Sequence, residues 1–151
     1  MKGNRSPRRR AREFAVQGLY QWLLAGGEPD EVARQVAQSE GFARSDKAMF
    51  ERLWAGTVAA RTELDLLLAR YLDRAPAALS PIEHAILLIG AFELLAMAET
   101  PYRVILNEAV ELAKVYGGTD GHKYVNGVLD KLATQLRRPE IEAARLPQTG
   151  P

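Results

Sequence analysis

SPIEHAILLIGAFELLAMA, residues 80–98, is the stretch that decides the fold. Ser80 followed three residues later by Glu83 is the pattern of a capping box. In a capping box the serine hydroxyl accepts a hydrogen bond from the glutamate amide, and the glutamate carboxylate accepts one from the serine amide. Pro81 suits the first helical position, because the amide hydrogen that proline lacks would have no partner there. The residues that follow are apolar on nearly every side, which predicts a central helix buried all round.

Apolar residues recur at helical spacing on both sides of this stretch, and no alternating strand pattern is present. The sequence therefore predicts an all-α, single-domain helical bundle of about six to seven helices, divided into two halves by the short link Ala75–Leu79. Residues 1–7 are expected to be a flexible basic arm, residues 8–138 the folded domain, and residues 139–151 a mobile tail with little to bury. The predicted helices run to Gly26, from Pro29 to about Gly41, from Asp46 to about Tyr71, from Pro81 to about Ala98, from Thr100 to Gly117, and from Thr119 or Asp120 to Pro139.

Composition limits the class of protein. The 151 residues fit one domain, and 47% of them are hydrophobic, which is enough for a core. The absence of cysteine excludes disulfides, thiolate zinc sites and cysteine nucleophiles. The longest apolar run, Ala85–Phe92, is far shorter than the roughly 18 residues of a membrane helix. No secretory signal core follows the basic start, so the expected location is the cytoplasm, without membrane contact.

Positive charge is concentrated at the N-terminus. The whole chain has a formal net charge of only +1, so the part that follows this segment is net acidic. A local cluster of this kind attracts polyanions, and contacts of lysine and arginine with phosphate supply much of the affinity for nucleic acid. The alternative is a solvated terminus that only keeps the protein in solution. The cations that precede Glu13, with no acid among them, are Lys2, Arg5, Arg8, Arg9, Arg10 and Arg12.

Little in the sequence supports catalysis. Its two histidines, His84 and His122, lack metal-ligand spacing, and no serine nucleophile accompanies His122. The glycine-rich run at residues 117–121 joins two predicted helices instead of following a strand, so it is read as a turn and not as a nucleotide-binding loop. We expect no enzymatic activity, no cofactor and no metal.

The same glycine-rich run favours a contact with nucleic acid. Tyr116 and Tyr124 flank it, and Lys123 stands beside the second ring. Exposed aromatic rings stack on unpaired bases while cations hold the backbone. The alternative for each tyrosine is packing into the bundle. The free amides of the helix start at Thr119–Asp120 can also receive a phosphate, although Asp120 opposes one electrostatically.

Three further residues are given structural roles. Asn107 and Asn126 are expected to hydrogen-bond buried backbone ends. Gly127 lies within a predicted helix, where glycine costs about 1 kcal/mol relative to alanine. Its expected role is to let another helix approach closely.

Five motifs follow one another along the chain: RRRARE and QGLYQW within residues 8–22, SPIEHAIL at 80–87, NEAVELAK at 107–114 and HKYVNGVLDK at 122–131. Together they resemble the NusB family of transcription antitermination factors. The similarity runs from about Arg8 to Leu136, and the last of the motifs is the most specific. It implies an all-helical RNA-binding protein that binds the boxA sequence of leader RNA together with a ribosomal small-subunit protein, NusE. It also implies a complex with RNA polymerase and other Nus factors that keeps transcription of ribosomal RNA operons processive.

The resemblance also implies roles for individual residues. Tyr20 and Glu83 match positions that face the protein partner. At Asp120 the implied role is ordering of the loop or contact with a base, not with phosphate. Family members often carry a basic residue where this chain has Leu88, so a phosphate contact is not expected from that position. The positions that match the RNA side are Arg8, Arg9, Arg10, Arg12, Tyr116, Asp120, Lys123 and Tyr124.

Two alternatives stay open at the level of sequence. Some ribosomal-RNA cytosine methyltransferases carry a NusB-like helical domain ahead of a catalytic domain, but this chain stops where that domain would begin and has no catalytic cysteine. The other alternative is a structural bundle that forms a homodimer, as some family members do. RNA binding by the purified protein separates the first interpretation from the last.

Overall fold

The computed structural model describes residues 5–116 and 120–145, and within these ranges every regular element is helical. The all-α prediction is confirmed. No helix among the described residues is long and apolar enough to cross a membrane. Short 3-10 turns lie at Phe42–Arg44 and Pro76–Ala78. The α-helices are α1 (Pro7–Ala25), α2 (Pro29–Ala37), α3 (Lys47–Ala59), α4 (Arg61–Ala69), α5 (Pro81–Ala96), α6 (Tyr102–Tyr116), α7 (Gly121–Leu136) and α8 (Arg138–Arg145).

The helix ends follow the local chemistry of the sequence. The Ser80 hydroxyl accepts a hydrogen bond from the Glu83 amide at 3.2 Å, and the Asp46 carboxylate accepts one from the Met49 amide at 3.0 Å. Helix α1 ends at Gly26, whose φ of 70° favours glycine. These ends were predictable because each depends on residues within one helical turn.

The apolar stripe predicted as one helix from Asp46 to about Tyr71 forms two helices. Helix α3 ends at Ala59 and α4 begins at Arg61, with Ala60 at φ −97° and ψ 10° between them. Residues from both helices are nevertheless fully buried, as Leu53 and Leu64 show. The apolar spacing continues across the break because both helices face one core.

The predicted tail buries more than expected. Its described part, up to Arg145, belongs to α8, and Ile141 is only 5% exposed. Pro139 lies in the first turn of this helix, where its missing amide hydrogen costs nothing. The expectation of a tail with little to bury is therefore wrong for this part. The rest of the tail (146–151), the first four residues of the arm and residues 117–119 of the glycine-rich run lie outside the described residues.

Helix α5 is the centre of the bundle, as its sequence predicts. It packs against α1, α3, α4, α6 and α7, and it is buried without interruption from His84 to Leu94. Glycine allows the closest of these approaches. A Cβ on Gly90 would stand 2.7 Å from the Leu129 side chain of α7, and one on Gly56 would stand 2.2 Å from the Phe92 ring.

A single guanidinium closes the C-terminal end of α5. Arg137 is 7% exposed, and it lies where the last carbonyls of a helix have no amide donors of their own. Its positive charge also complements the helix dipole at that end. Arg137 therefore fastens the junction of α7 and α8 to the central helix. Its guanidinium donates to the carbonyl oxygens of Leu94 (2.8 Å), Met97 (3.0 Å), Thr100 (3.0 Å) and Glu93 (3.1 Å), and to the carboxylate of Glu140 (2.6 Å).

The structural roles predicted for three residues of α6 and α7 are wrong. Asn107 and Asn126 are both exposed, so they do not serve buried backbone ends. Gly127 is exposed as well, and a Cβ placed on it would meet nothing within 4 Å. No helix of the described chain approaches Gly127 closely, so its small size has no packing explanation within the monomer.

Candidate nucleic-acid and protein interface

The first two arginines of α1 are accessible. Arg8 is exposed, and its guanidinium lies 3.4 Å from the Thr100 hydroxyl. Arg9 is half-buried and donates two hydrogen bonds, of 3.0 and 2.8 Å, to the Glu108 carboxylate of α6. These bonds lower the pKa of Glu108 and raise that of Arg9. The pair joins α1 to α6 and holds a cation at their shared surface.

The other two arginines of the motif are buried. Arg12 is 3% exposed, and it donates two hydrogen bonds of 2.8 Å to the carboxylate of Glu93, which is 1% exposed. Its Nη1 also lies 3.6 Å from Glu108. Arg10 is buried as well, and its guanidinium lies near the turn at Gly41.

The structure disfavours the implied RNA contact of Arg12, because its guanidinium lies inside the core and already pairs with the Glu93 carboxylate. The sequence contains a signal for this pair. Glu93 is the only acid in the buried run from His84 to Leu94, and a buried carboxylate needs a cationic partner.

Tyr116 and Tyr20 share one surface. The Gln17 side chain of α1 donates to the Tyr116 hydroxyl at 3.3 Å, and Tyr20, one turn further along α1, is 41% exposed. Together with Ile82 these side chains line an open pocket of about 290 Å³ between α1, α5 and α6. A residue matched to RNA and a residue matched to the protein partner are thus neighbours.

Glu83 lies at the start of α5 and faces the start of α7. Among the described residues only the serine half of the predicted capping box forms. The Glu83 carboxylate oxygen lies 2.9 Å from the position that a Cβ on Gly121 would occupy. A larger residue at position 121 would collide with it, whereas the negative charge is favoured near the N-terminus of α7.

Tyr124 has partners from the link between α4 and α5. Its hydroxyl donates to the Asp73 carboxylate at 3.0 Å and accepts from the Asp73 amide at 3.4 Å. The Arg74 guanidinium carbon lies 4.9 Å from the centre of the Tyr124 ring. Hydrogen bonds from Arg74 and Tyr124 lower the pKa of Asp73 to about 2, and partial burial raises that of Tyr124. The Tyr124 ring is half-buried, so Tyr124 is neither a core residue nor a fully exposed stacking surface.

Asp120 and Lys123 form an exposed pair at the start of α7. The Lys123 ammonium lies 3.6 Å from the Asp120 carboxylate. Asp120, one of the two residues predicted to open this helix, occupies the N-cap position, but its side chain makes no capping hydrogen bond. Its carboxylate is therefore available to orient Lys123.

Two other residues of α5 are inside the bundle. Leu88 is fully buried, which agrees with the expectation that this position makes no phosphate contact. His84 is buried, and its Nε2 lies 2.6 Å from the Asp65 carboxylate. Among the described residues no three side chains are grouped as a metal site.

Comparison with known proteins decides the family. The model of the NusB family matches residues 9–134, which is most of the chain. The chain belongs to the NusB family. It is 52% identical over 141 residues to the transcription antitermination protein NusB of Ralstonia pickettii, covering 93% of this chain and 91% of that protein. Its identity to the NusB protein of Aromatoleum aromaticum is also 52%, over 94% of this chain and 98% of the relative.

Solved structures agree with the family assignment. NusB from T. maritima is similar with a TM-score of 0.80 at 28% identity, over 91% of this chain and 99% of that one. A chain in the crystal structure of antitermination factors NusB and NusE in complex with dsRNA has a TM-score of 0.76 at 27% identity, over 85% and 97% of the two chains. These relatives are antitermination factors and not enzymes.

Proposed function

We propose that this member of the NusB family promotes processive transcription of ribosomal RNA operons by binding boxA-type leader RNA together with NusE. The observation that supports this most directly is the contact between α1 and α6. Arg9 with Glu108, and Gln17 with Tyr116, bring accessible arginines and the aromatic end of α6 to one surface. Such a surface combines cations for phosphates with a ring for bases. This role would place the protein in the cytoplasm, where bacterial RNA polymerase works.

The residues proposed to contact RNA, called the RNA side, lie at the starts of α1 and α7 and at the end of α6. At the start of α1, Arg8 and Arg9 contact phosphates, and Arg9 exchanges Glu108 for the RNA. At the end of α6 the Tyr116 ring stacks on a base. At the start of α7, Tyr124 and Lys123 continue the surface, with Asp120 orienting the lysine. Arg10 contributes charge from its buried position, and Arg12 holds α1 to the core instead of contacting RNA.

The residues proposed to contact NusE, called the protein side, lie next to the RNA side. Tyr20 and the pocket beside it supply an exposed aromatic surface. Glu83, which follows the pocket-lining Ile82 in the chain, supplies a negative charge. A solved neighbour that contains NusB, NusE and dsRNA supports the pairing with NusE. RNA polymerase and the other Nus factors are further proposed partners of the assembled complex, and a homodimer is the competing assembly.

Binding of RNA to the purified chain, with and without NusE, tests the proposal. A labelled single-stranded boxA RNA and its duplex form are compared, because the solved neighbour contains double-stranded RNA. The single strand is expected to bind, and to bind more tightly when NusE is present. Failure of both RNAs to bind in either condition would contradict the proposed function.

The double variant Arg8→Ala/Arg9→Ala is expected to weaken RNA binding and to flatten its salt dependence. Each phosphate neutralised on a single strand contributes about −0.7 to the slope of log affinity against log salt, so the loss is up to about 1.4. Titrations by fluorescence anisotropy at several salt concentrations give the slope. The matched control is Arg34→Ala/Arg145→Ala, which removes two exposed arginines from α2 and α8. Equal slopes for the two double variants would remove α1 from the RNA surface.

Glu83→Gln is expected to weaken binding of NusE about tenfold, because it removes a charge at the edge of the protein side. The bond from the position-83 amide to Ser80 does not involve the substituted side chain, so the start of α5 is preserved. Calorimetry measures NusE binding, and thermal unfolding checks the fold. Gln17→Glu adds a charge on the same surface and serves as a sensitivity control. Identical NusE affinity for Glu83→Gln and the unaltered protein would show that the charge is not recognised.

A further inference from the structure

Arg74 is brought to the candidate RNA surface by the fold and not by its place in a motif. It lies on the link between α4 and α5, far in sequence from the arginine-rich start and from α7. In the structure its guanidinium carbon stands 4.9 Å from the centre of the Tyr124 ring, within the roughly 6 Å range of a cation–π contact. The side chain is exposed to solvent.

Asp73 holds this guanidinium in place. Arg74 donates from Nε to one Asp73 carboxylate oxygen at 2.6 Å and from Nη2 to the other at 3.0 Å. The Tyr124 hydroxyl donates to the same carboxylate at 3.0 Å. The carboxylate thus fixes the cation and the ring relative to each other, which makes Asp73 a positioning residue.

We propose that Arg74 is a further RNA-binding residue, and that it meets an unpaired base and its phosphate as one unit with Tyr124. The inference rests on the proposed function. Unpaired bases stack on arginine guanidinium planes as well as on aromatic rings. The remaining nitrogen, Nη1, makes no hydrogen bond among the described residues, so its two hydrogens are available to a phosphate oxygen.

The ion pair of Arg74 with Asp73 is exposed and lies among charges of both signs. Asp73 neutralises Arg74 in the free protein, and Glu83 adds a second negative charge nearby. Lys123, next to Tyr124 in the chain, adds a positive charge that is paired with the Asp120 carboxylate. An exposed ion pair of this kind contributes little to stability. Its side chains can therefore change partners when RNA binds.

Arg74→Ala tests the inference in the full chain. We expect single-stranded boxA RNA to bind about tenfold more weakly, with a salt slope smaller by about 0.7 and an unchanged melting temperature. Arg74→Lys keeps the charge and is expected to retain the slope while losing part of the affinity, because an ammonium has no flat face to stack. Arg34→Ala is the matched control, since Arg34 is also an exposed arginine paired with a neighbouring carboxylate, that of Glu31.

The double variant Arg74→Ala/Tyr124→Ala tests whether the two side chains act together. The expected loss is no larger than that of Tyr124→Ala alone, because each residue needs the other. Tyr124→Phe keeps the ring under the guanidinium and is expected to bind RNA nearly normally. If the losses of RNA-binding free energy in the two single variants add up in the double variant, Arg74 and Tyr124 do not act as one unit.

Three results would overturn the role of Arg74 itself. One is RNA binding by Arg74→Ala equal to that of Arg34→Ala. Another is a loss of NusE binding with unaltered RNA binding, which would assign Arg74 to the protein side. The third is failure of the unaltered chain to bind either RNA, which would overturn the proposed function and this inference together. When the unaltered chain binds RNA, a failure of the Arg74 variants to differ from the control concerns Arg74 alone.

Discussion

Arg137→Leu is expected to lower the free energy of unfolding by about 4 kcal/mol. The carbonyls of Glu93 and Met97 also accept backbone amides, but those of Leu94 and Thr100 have Arg137 as their donor among the described residues. A buried polar group without a partner costs about 1–3 kcal/mol, and the charge-assisted bonds are lost as well. For a chain of this size the melting temperature should fall by roughly 8–16 °C, at about 2–4 °C per kcal/mol.

Thermal unfolding followed by circular dichroism measures this effect, and urea unfolding gives the free energy. Arg138→Leu is the matched control, because Arg138 is the exposed neighbour of Arg137 on the same segment. The control should shift the melting temperature by a small amount only. Equal melting temperatures for the two variants would show that the end of α5 does not depend on the Arg137 guanidinium.

Arg12→Leu is expected to destabilise the protein by about 3–5 kcal/mol, because it leaves the Glu93 carboxylate buried without a partner. The double variant Arg12→Leu/Glu93→Leu should regain most of that stability, since a buried ion pair replaced by apolar residues of similar volume is often neutral. Urea unfolding of the two single variants and the double variant completes the cycle. A double variant as unstable as Arg12→Leu would show that the guanidinium has a role beyond neutralising Glu93.

The same double variant separates the two roles that an arginine in this motif can have. If Arg12 is purely a core residue, the folded double variant binds boxA RNA with normal affinity and normal salt slope. A slope reduced by about 0.7 in a stable double variant would return Arg12 to the RNA side. Arg8→Ala, which removes an exposed cation one turn earlier, shows the size of the change that the assay detects.

Local chemistry made much of the bundle predictable. The start of α5 depends on Ser80 and Pro81, and the end of α1 depends on Gly26, so residues within one turn decide each boundary. The sequence does not reveal the helix break at Ala60, because the apolar residues on both sides of it pack into the same core. The sequence does not reveal helix α8, because Pro139 fits the end of one helix as well as the first turn of the next.

Long-range contacts explain what the sequence could not supply about the site. The arginines from Arg8 to Arg12 look alike in sequence, and only the register of α1 against α5 and α6 separates the accessible ones from those inside. Tyr124 could not be assigned from its neighbours, because its partners Asp73 and Arg74 lie on a link without apolar periodicity.

The cap on α5 has a consequence for the order in which the protein folds during synthesis. Arg137 follows Leu94 by 43 positions, so the ribosome completes the central helix well before it makes the side chain that closes it. Until then the carbonyls of Leu94 and Thr100, whose donor is Arg137, can be satisfied only by water. Domains generally fold as units, and their N-terminal parts are made first. Closure of α5 therefore cannot precede the synthesis of Arg137, and it couples the centre of the bundle to the helices that are made last among the described residues.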